Sequence, residues 1–259
     1  APKSCSRVAC EKSTILHLLY YYSREFLEFQ YFYKRSYYLI FSIGKVCIIS
    51  FSLQIIEEEV KMKLKDSKTF SNLARAYMGE CSARARYEFC EYGFRYNGYE
   101  AIATLIDKIA YQEFNHARVL YMKLQDAEMK QIDNIDVCAG FPFKEKWDLN
   151  TNLQLLCQDE LDEADAYKEF EQTAREEGFE EIADIFKMIR EVEIRHAKVF
   201  KSLYEQMKDK SLYKKAREVA WICPACGYVS FDKEAWEVCP LCQAKQGYCE
   251  VKLPEDLYF

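Results

Sequence analysis

From Ser67 onward, apolar and polar positions recur with the spacing of amphipathic helices. Ser67 and Thr69 offer capping side chains ahead of a first run, which continues to about Arg95. Asn97-Gly98 punctuates that run, and a second, about 99–125, follows directly. So short a connection predicts a tight antiparallel hairpin. Residues 126–150 hold Gly140, Pro142 and the apolar cluster Phe141, Phe143 and Trp147, and read as a long crossover. Helical patterning resumes near Thr151, breaks at Gly178 and runs on to about Lys208.

The second pair of runs superposes on the first at an offset of 80 residues without a gap. Gly98 matches Gly178, Tyr99 matches Phe179, Ile102-Ala103 matches Ile182-Ala183, and Val119 matches Val199. Such a repeat marks one supersecondary unit used twice. Two hairpins joined by one long connection predict a mainly α chain with a ferritin-like four-helix bundle.

The repeat carries chemistry. Glu113-Phe-Asn-His116 and Glu193-Ile-Arg-His196 are Glu-x-x-His motifs at matched positions, and Glu80 and Glu160 form a third matched pair. On a helix, positions i and i+3 share a face, so each motif presents one oxygen and one nitrogen ligand to the same side. A single Glu-x-x-His is ordinarily a solvated pair. Six such residues in two matched copies instead form the donor set of a two-metal carboxylate bundle. Mixed oxygen and nitrogen ligation suits iron or manganese. Glu163 breaks the symmetry, because its counterpart is Ala83; it lies one turn after Glu160, among Asp159, Asp162 and Asp165. Glu191 is two residues from Glu193, which points it to another face. Tyr87 and Tyr167 follow Glu80 and Glu160 by two turns, either as partners of the carboxylates or as plain core aromatics.

Of twelve cysteines, Cys223, Cys226, Cys239 and Cys242 form two C-x-x-C knuckles, and the other eight show no framework spacing. This usage points to a reducing compartment and a tetrahedral four-sulfur metal site. Trp221, Tyr228, Phe231, Trp236 and Tyr248 are expected to pack a small core around it. The module brings Asp232, Glu234, Glu237 and Glu250, where a nucleic-acid-binding zinc ribbon needs Lys and Arg. Iron is the expected metal. A net charge of −6 likewise gives no case for nucleic acid.

Residues 1–61 differ in kind, with 12 Tyr or Phe and no Met. From Ser36 to Ile56 the only charge is Lys45, a length that spans a bilayer. Lys34 and Arg35 before it and Glu57–Glu59 after it put the N-terminus in the cytosol by the positive-inside rule. That orientation carries the metal domain across the membrane, at odds with reduced thiols. The alternatives are a targeting leader, or upstream sequence ahead of a functional chain that begins at Met62. The expected organisation is an atypical hydrophobic leader over 1–61, a di-metal bundle over 62–210 and a knuckle domain over 218–259. The expected location is cytoplasmic, or an organelle if the leader is a targeting segment.

The chain from about 62 to 259 resembles the rubrerythrins. The resemblance rests on Gly79-Glu80, Ala83-Arg84-Ala85-Arg86-Tyr87, the two Glu-x-x-His motifs, Glu160-Leu-Asp-Glu163 and the rubredoxin-like knuckles. It implies a non-haem di-iron centre held by Glu80, Glu113, His116, Glu160, Glu163, Glu193 and His196, with Glu113 and Glu193 bridging. His116 and Glu163 are implied as ligands that exchange with oxidation state, and the four cysteines as ligands of a rubredoxin-type iron. The implied function is a peroxidase that reduces hydrogen peroxide to water. Its electrons come from a separate NAD(P)H-dependent reductase, and it acts as a homodimer with one subunit's cysteine site near the other's di-iron site. A ferroxidase on the same bundle and a zinc-ribbon binding protein are the competing readings. One departure stands out: Glu80 to Gly98 and Glu160 to Gly178 are both 18 residues. The family commonly has one extra residue in the second half, as a π-bulge. A shifted register offers Asp159 and Asp162 instead of Glu163, whereas Asn152 and the 80-residue repeat favour the glutamates.

Overall fold

Four long helices carry the structure: α1 (Lys68–Tyr96), α2 (Glu100–Gln125), α3 (Leu149–Glu176) and α4 (Glu180–Lys208). The computed structural model describes residues 62–128, 134–138 and 148–257. The chain divides into units Ala1–Glu59 and Val60–Phe259. The expected leader and the Phe141, Phe143 and Trp147 cluster lie outside the described residues.

Specific contacts fix the starts of α1 and α3 and the two hairpin turns. Ser67 Oγ accepts the Phe70 N–H at 3.1 Å and starts α1. Thr69, the other expected cap, is buried inside the first turn. Its hydroxyl donates to Glu177 Oε2 at 2.6 Å, and its N–H and that of Lys68 bind the same carboxylate. The turn between α3 and α4 therefore caps α1 from across the bundle. Asp148 caps α3 by accepting the Thr151 N–H at 3.1 Å. Gly98 and Gly178 adopt φ of 82° and 81°, the left-handed conformation that glycine enters without a Cβ clash. The Tyr99 N–H bonds Phe94 O at 2.9 Å, and the Phe179 N–H bonds Ala174 O at 2.8 Å. These are the six-to-one bonds of a Schellman stop, and each lets the next helix leave antiparallel.

α1 packs on α2 and α3 on α4, and α1 also lies along α3. Two apolar clusters fill the bundle. One includes Phe94, Ile102, Ile106, Leu153 and Phe200; the other includes Leu73, Leu120, Phe170 and Phe186. On every helix the acidic positions fall between the two clusters. The bundle thus buries its polar layer between two dry ones.

The C-terminal segment forms an antiparallel ribbon of β1 (Lys214–Ile222) and β2 (Val229–Glu234), with Ala220 opposite Phe231 and Ile222 opposite Val229. Its core is smaller than five aromatics. Trp221, Ala235 and Cys249 are buried, Tyr228 and Trp236 meet edge to face at 5.4 Å, and Phe231 and Tyr248 are exposed. A two-stranded ribbon covers only one of its faces. Leu212, Val251, Leu253 and Leu257 join the bundle's apolar cluster instead. Gly247 packs on the first hairpin turn so closely that a Cβ there would lie 1.6 Å from Gly98 O. Among the described residues, no helix is long and apolar enough to cross a membrane.

Candidate metal centre

Midway along the bundle, Glu80, Glu113, Glu160, Glu193 and His196 are buried, one carboxylate from each helix. They form two groups with His116. Glu80, Glu113, His116 and Glu193 make one; Glu113, Glu160, Glu193 and His196 make the other. Within each, one donor atom per residue lies within 4.8 Å of the rest. Glu113 and Glu193 belong to both. The geometry is that of two cation positions sharing two carboxylates.

The imidazoles both face inward through Nδ1. His116 Nδ1 lies 3.0 Å from Glu193 Oε1 and 3.3 Å from Glu80 Oε2 and Glu113 Oε2. His196 Nδ1 lies 2.9 Å from Glu113 Oε1 and Glu193 Oε2, and 3.5 Å from Glu160 Oε1. The two rings are 6.1 Å apart. The electrostatics are those of a site built for cations. Burial, reinforced by neighbouring carboxylates, holds Glu80, Glu160 and Glu163 well above the ordinary carboxylate range, with His196 partly opposing at Glu160. At Glu113 burial is outweighed by His196 and His116, which hold it below that range. Burial opposes charge on both histidines, yet the surrounding carboxylates raise both.

Two buried carboxylate oxygens, Glu160 Oε2 and Glu163 Oε2, nevertheless have no hydrogen-bond partner among the described residues, and Glu80 Oε2, Glu113 Oε1 and Glu193 Oε1 have only an imidazole Nδ1 that each shares with other carboxylates. Each such orphan costs about 1–3 kcal/mol or more. Their convergence on one layer is the signature of a donor set that fits two divalent cations.

Glu163 sits beside the two groups rather than within either. Its orphaned oxygen feels Glu193 and Glu113 most strongly among the charges around it. Of the residues a shifted register offers, Asp159 pairs with Arg86 at 2.5 Å, and Asp162 is exposed and accepts from Gln158 at 2.8 Å. α3 is α-helical from end to end. Tyr87 and Tyr167 are both core aromatics and carboxylate partners, but crosswise. Tyr87 donates to Glu160 at 2.6 Å and Tyr167 donates to Glu80, each on the opposite hairpin. Burial raises both phenols, so both remain donors.

Two features escaped the sequence. The part-buried Arg86–Asp159 pair joins α1 to α3, and Gln112 Oε1 lies 2.8 Å from His196 Nε2. Neither residue type announces such a role. The one available signal was that Gln112 aligns with Val192 in an otherwise matched segment.

In the C-terminal module, Cys223 Sγ lies 3.7 Å from Cys242 Sγ, and Cys226 Sγ lies 3.7 Å from Cys239 Sγ. A tetrahedron with metal–sulfur bonds of about 2.3 Å has an edge of about 3.8 Å, so the four thiols fit one iron. Burial opposes the Cys239 thiolate, but N–H donors from Cys242 and Leu241 outweigh it and bring the pKa down to about 7.

The family model described as Rubrerythrin matches residues 71–204 and 151–222. A rubrerythrin of Porphyromonas gingivalis is 35% identical over 193 residues, covering 74% of this chain and 94% of its own. One of Clostridium perfringens is 35% identical over 189 residues, covering 73% and 96%. One of Nitratidesulfovibrio vulgaris is 31% identical over 189 residues, with the same shares.

Proposed function

The chain belongs to the rubrerythrin family of di-iron oxidoreductases, and on that premise we propose that it is a peroxidase reducing hydrogen peroxide to water. The observation that carries this reading is the pair of donor groups sharing Glu113 and Glu193, in one chain with a tetrahedral cysteine site. Glu80 and His116 complete one metal position, and Glu160 and His196 the other. Glu163, with its orphaned oxygen beside the cluster, is the ligand proposed to alternate with His116. Irons held by these residues would supply Lewis acidity toward peroxide and the two electrons that each turnover consumes. Tyr87 and Tyr167, held protonated, orient Glu160 and Glu80. Cys223, Cys226, Cys239 and Cys242 would hold an iron able to return electrons singly, drawn from a separate NAD(P)H-dependent reductase. A ferroxidase needs no such relay, which favours the peroxidase.

The outer surface supports a homodimer. The first hairpin exposes Met78, Phe89, Tyr92, Tyr96, Tyr111, Tyr121 and Met122. At the same positions 80 residues on, the second carries Gln158, Glu169, Gln172, Glu176, Glu191, Lys201 and Ser202. With Phe89 75% and Tyr96 81% exposed, the aromatics of this face offer roughly 500–800 Å² at 150–250 Å² per fully exposed aromatic. A standard interface takes about 800 Å² from each partner. Glu80 lies 18 residues before Gly98, on which Gly247 of the C-terminal module packs, so about 27 Å of chain separates the carboxylate layer from that turn. A second copy packed head to tail shortens that path.

The test combines bound-metal analysis, an absorption spectrum and reoxidation of the anaerobically reduced full chain by peroxide. Two irons in the bundle, one at the cysteines and one peroxide consumed per two electrons are expected. Zinc at the cysteines with no peroxide-dependent reoxidation overturns the proposal.

A further inference from the structure

The two halves of the cluster differ in what stands behind each histidine. His196 has a side chain 0% exposed, and its outer nitrogen, Nε2, meets Gln112 Oε1 at 2.8 Å. His116 has a side chain 13% exposed. The residue that occupies Gln112's place on its side of the repeat is Val192, which has no polar atom to offer. The same nitrogen of each ring, Nδ1, faces the carboxylates.

An imidazole binds a metal only through a nitrogen that carries no proton, so with Nδ1 turned inward the ring proton belongs on Nε2. At His196 that N–H has an acceptor in place, which fixes both the tautomer and the ring rotation. A side chain locked this way loses little entropy when it takes a metal. Among the described residues nothing holds the tautomer or the rotation of His116 from behind, and its side chain is 13% exposed.

We propose that Gln112 is a positioning residue that locks His196 as a metal ligand, making the Glu160/His196 position the tighter of the two and leaving the Glu80/His116 position the exchangeable one. This rests on the two-metal reading of the cluster and adds a cause for inequality between its halves. Gln112 touches neither metal nor substrate; it acts through the imidazole. Its amide oxygen is the acceptor, and an acidic side chain of the same length keeps that role while a thioether of similar shape loses it.

The test is a cobalt(II) titration of the metal-free full chain, followed by absorption and calorimetry, for wild type, Gln112→Met and Gln112→Glu. Wild type should bind two equivalents at the bundle in two steps. In Gln112→Met the tighter step should weaken by about 10–100-fold, the usual effect of losing a partner behind a metal-bound histidine, with the weaker step unchanged. Gln112→Glu should restore the tighter step. Zinc-loaded protein with labelled histidine should show the His196 Nε2 proton in wild type and Gln112→Glu, and lose it to solvent exchange in Gln112→Met. An unchanged tighter step in Gln112→Met, or an equal loss in both steps, overturns the proposal. Failure of wild type to bind two equivalents at the bundle would overturn the two-metal reading itself.

Discussion

The two hairpins are copies in backbone and unequal in everything that a backbone does not dictate. Their turns share one conformation, with Gly98 and Gly178 within a degree of each other in φ. Yet the first turn receives Gly247 of the C-terminal module, whereas the second sends Glu177 to cap α1. Inside, Ala83 faces Glu163 and Val192 faces Gln112 across the repeat. Outside, aromatics on the first hairpin stand where acids, amides and lysine stand on the second. A duplicated ligand skeleton makes two metal positions; the divergent residues around it decide that the positions, and the faces, are not equivalent.

The residues common to both halves should produce the largest effects when changed. Glu193→Ala removes a carboxylate shared by both donor groups and should abolish two-metal binding, while Glu80→Ala should leave one metal bound. Because Glu163 Oε2 is buried without a hydrogen-bond partner, metal-free Glu163→Ala, which restores the residue found at Ala83 in the first half, should be more stable than wild type by about 1–3 kcal/mol. Metal analysis and thermal unfolding with and without metal check both signs. A destabilised metal-free variant would show that the carboxylate layer is not held under electrostatic strain.

The unequal faces come next. Replacing Phe89, Tyr92 and Tyr96 together with Glu gives the first hairpin the acid-rich character of the second. The proposed dimer should dissociate to monomers in sedimentation, with both metal sites still loaded. Unchanged sedimentation would place any dimer contact elsewhere.

The unequal turns follow. Gly247→Val puts atoms where Gly98 O already sits and should cost about 3 kcal/mol, lowering Tm by roughly 5–10 °C. Glu177→Ala should cost only about 1 kcal/mol, the worth of a helix cap. Slight burial raises the Glu177 pKa, but its bonds to Thr69 and Lys68 outweigh this and lower it. Its contribution should therefore be complete above the ordinary glutamate range and fade as pH falls through the depressed value. In thermal melts, the gap between wild type and Glu177→Ala should close in acid.

Helix boundaries, the two turns, six matched donors and the four cysteines were legible because each depends on short-range rules. Periodicity marks a buried stripe, glycine permits a left-handed turn, and i, i+3 spacing puts Glu and His on one face. The linear chain also showed the 80-residue repeat, and with it the bundle and the family resemblance. What it did not show is which groups meet across helices. Tyr87 follows Glu80 by two turns, but its hydroxyl serves Glu160 because α1 runs antiparallel to α3. Thr69 resembles a cap and is instead capped from another turn. Gln112 resembles any surface amide until His196 is placed behind it. The matched Glu-x-x-His motifs with Glu80 and Glu160 determined the donor set of a two-metal site; the packing of four helices decided which groups stand behind each donor. Hydrogen bonds between helices depend on direction and distance in space, which spacing along a chain does not encode.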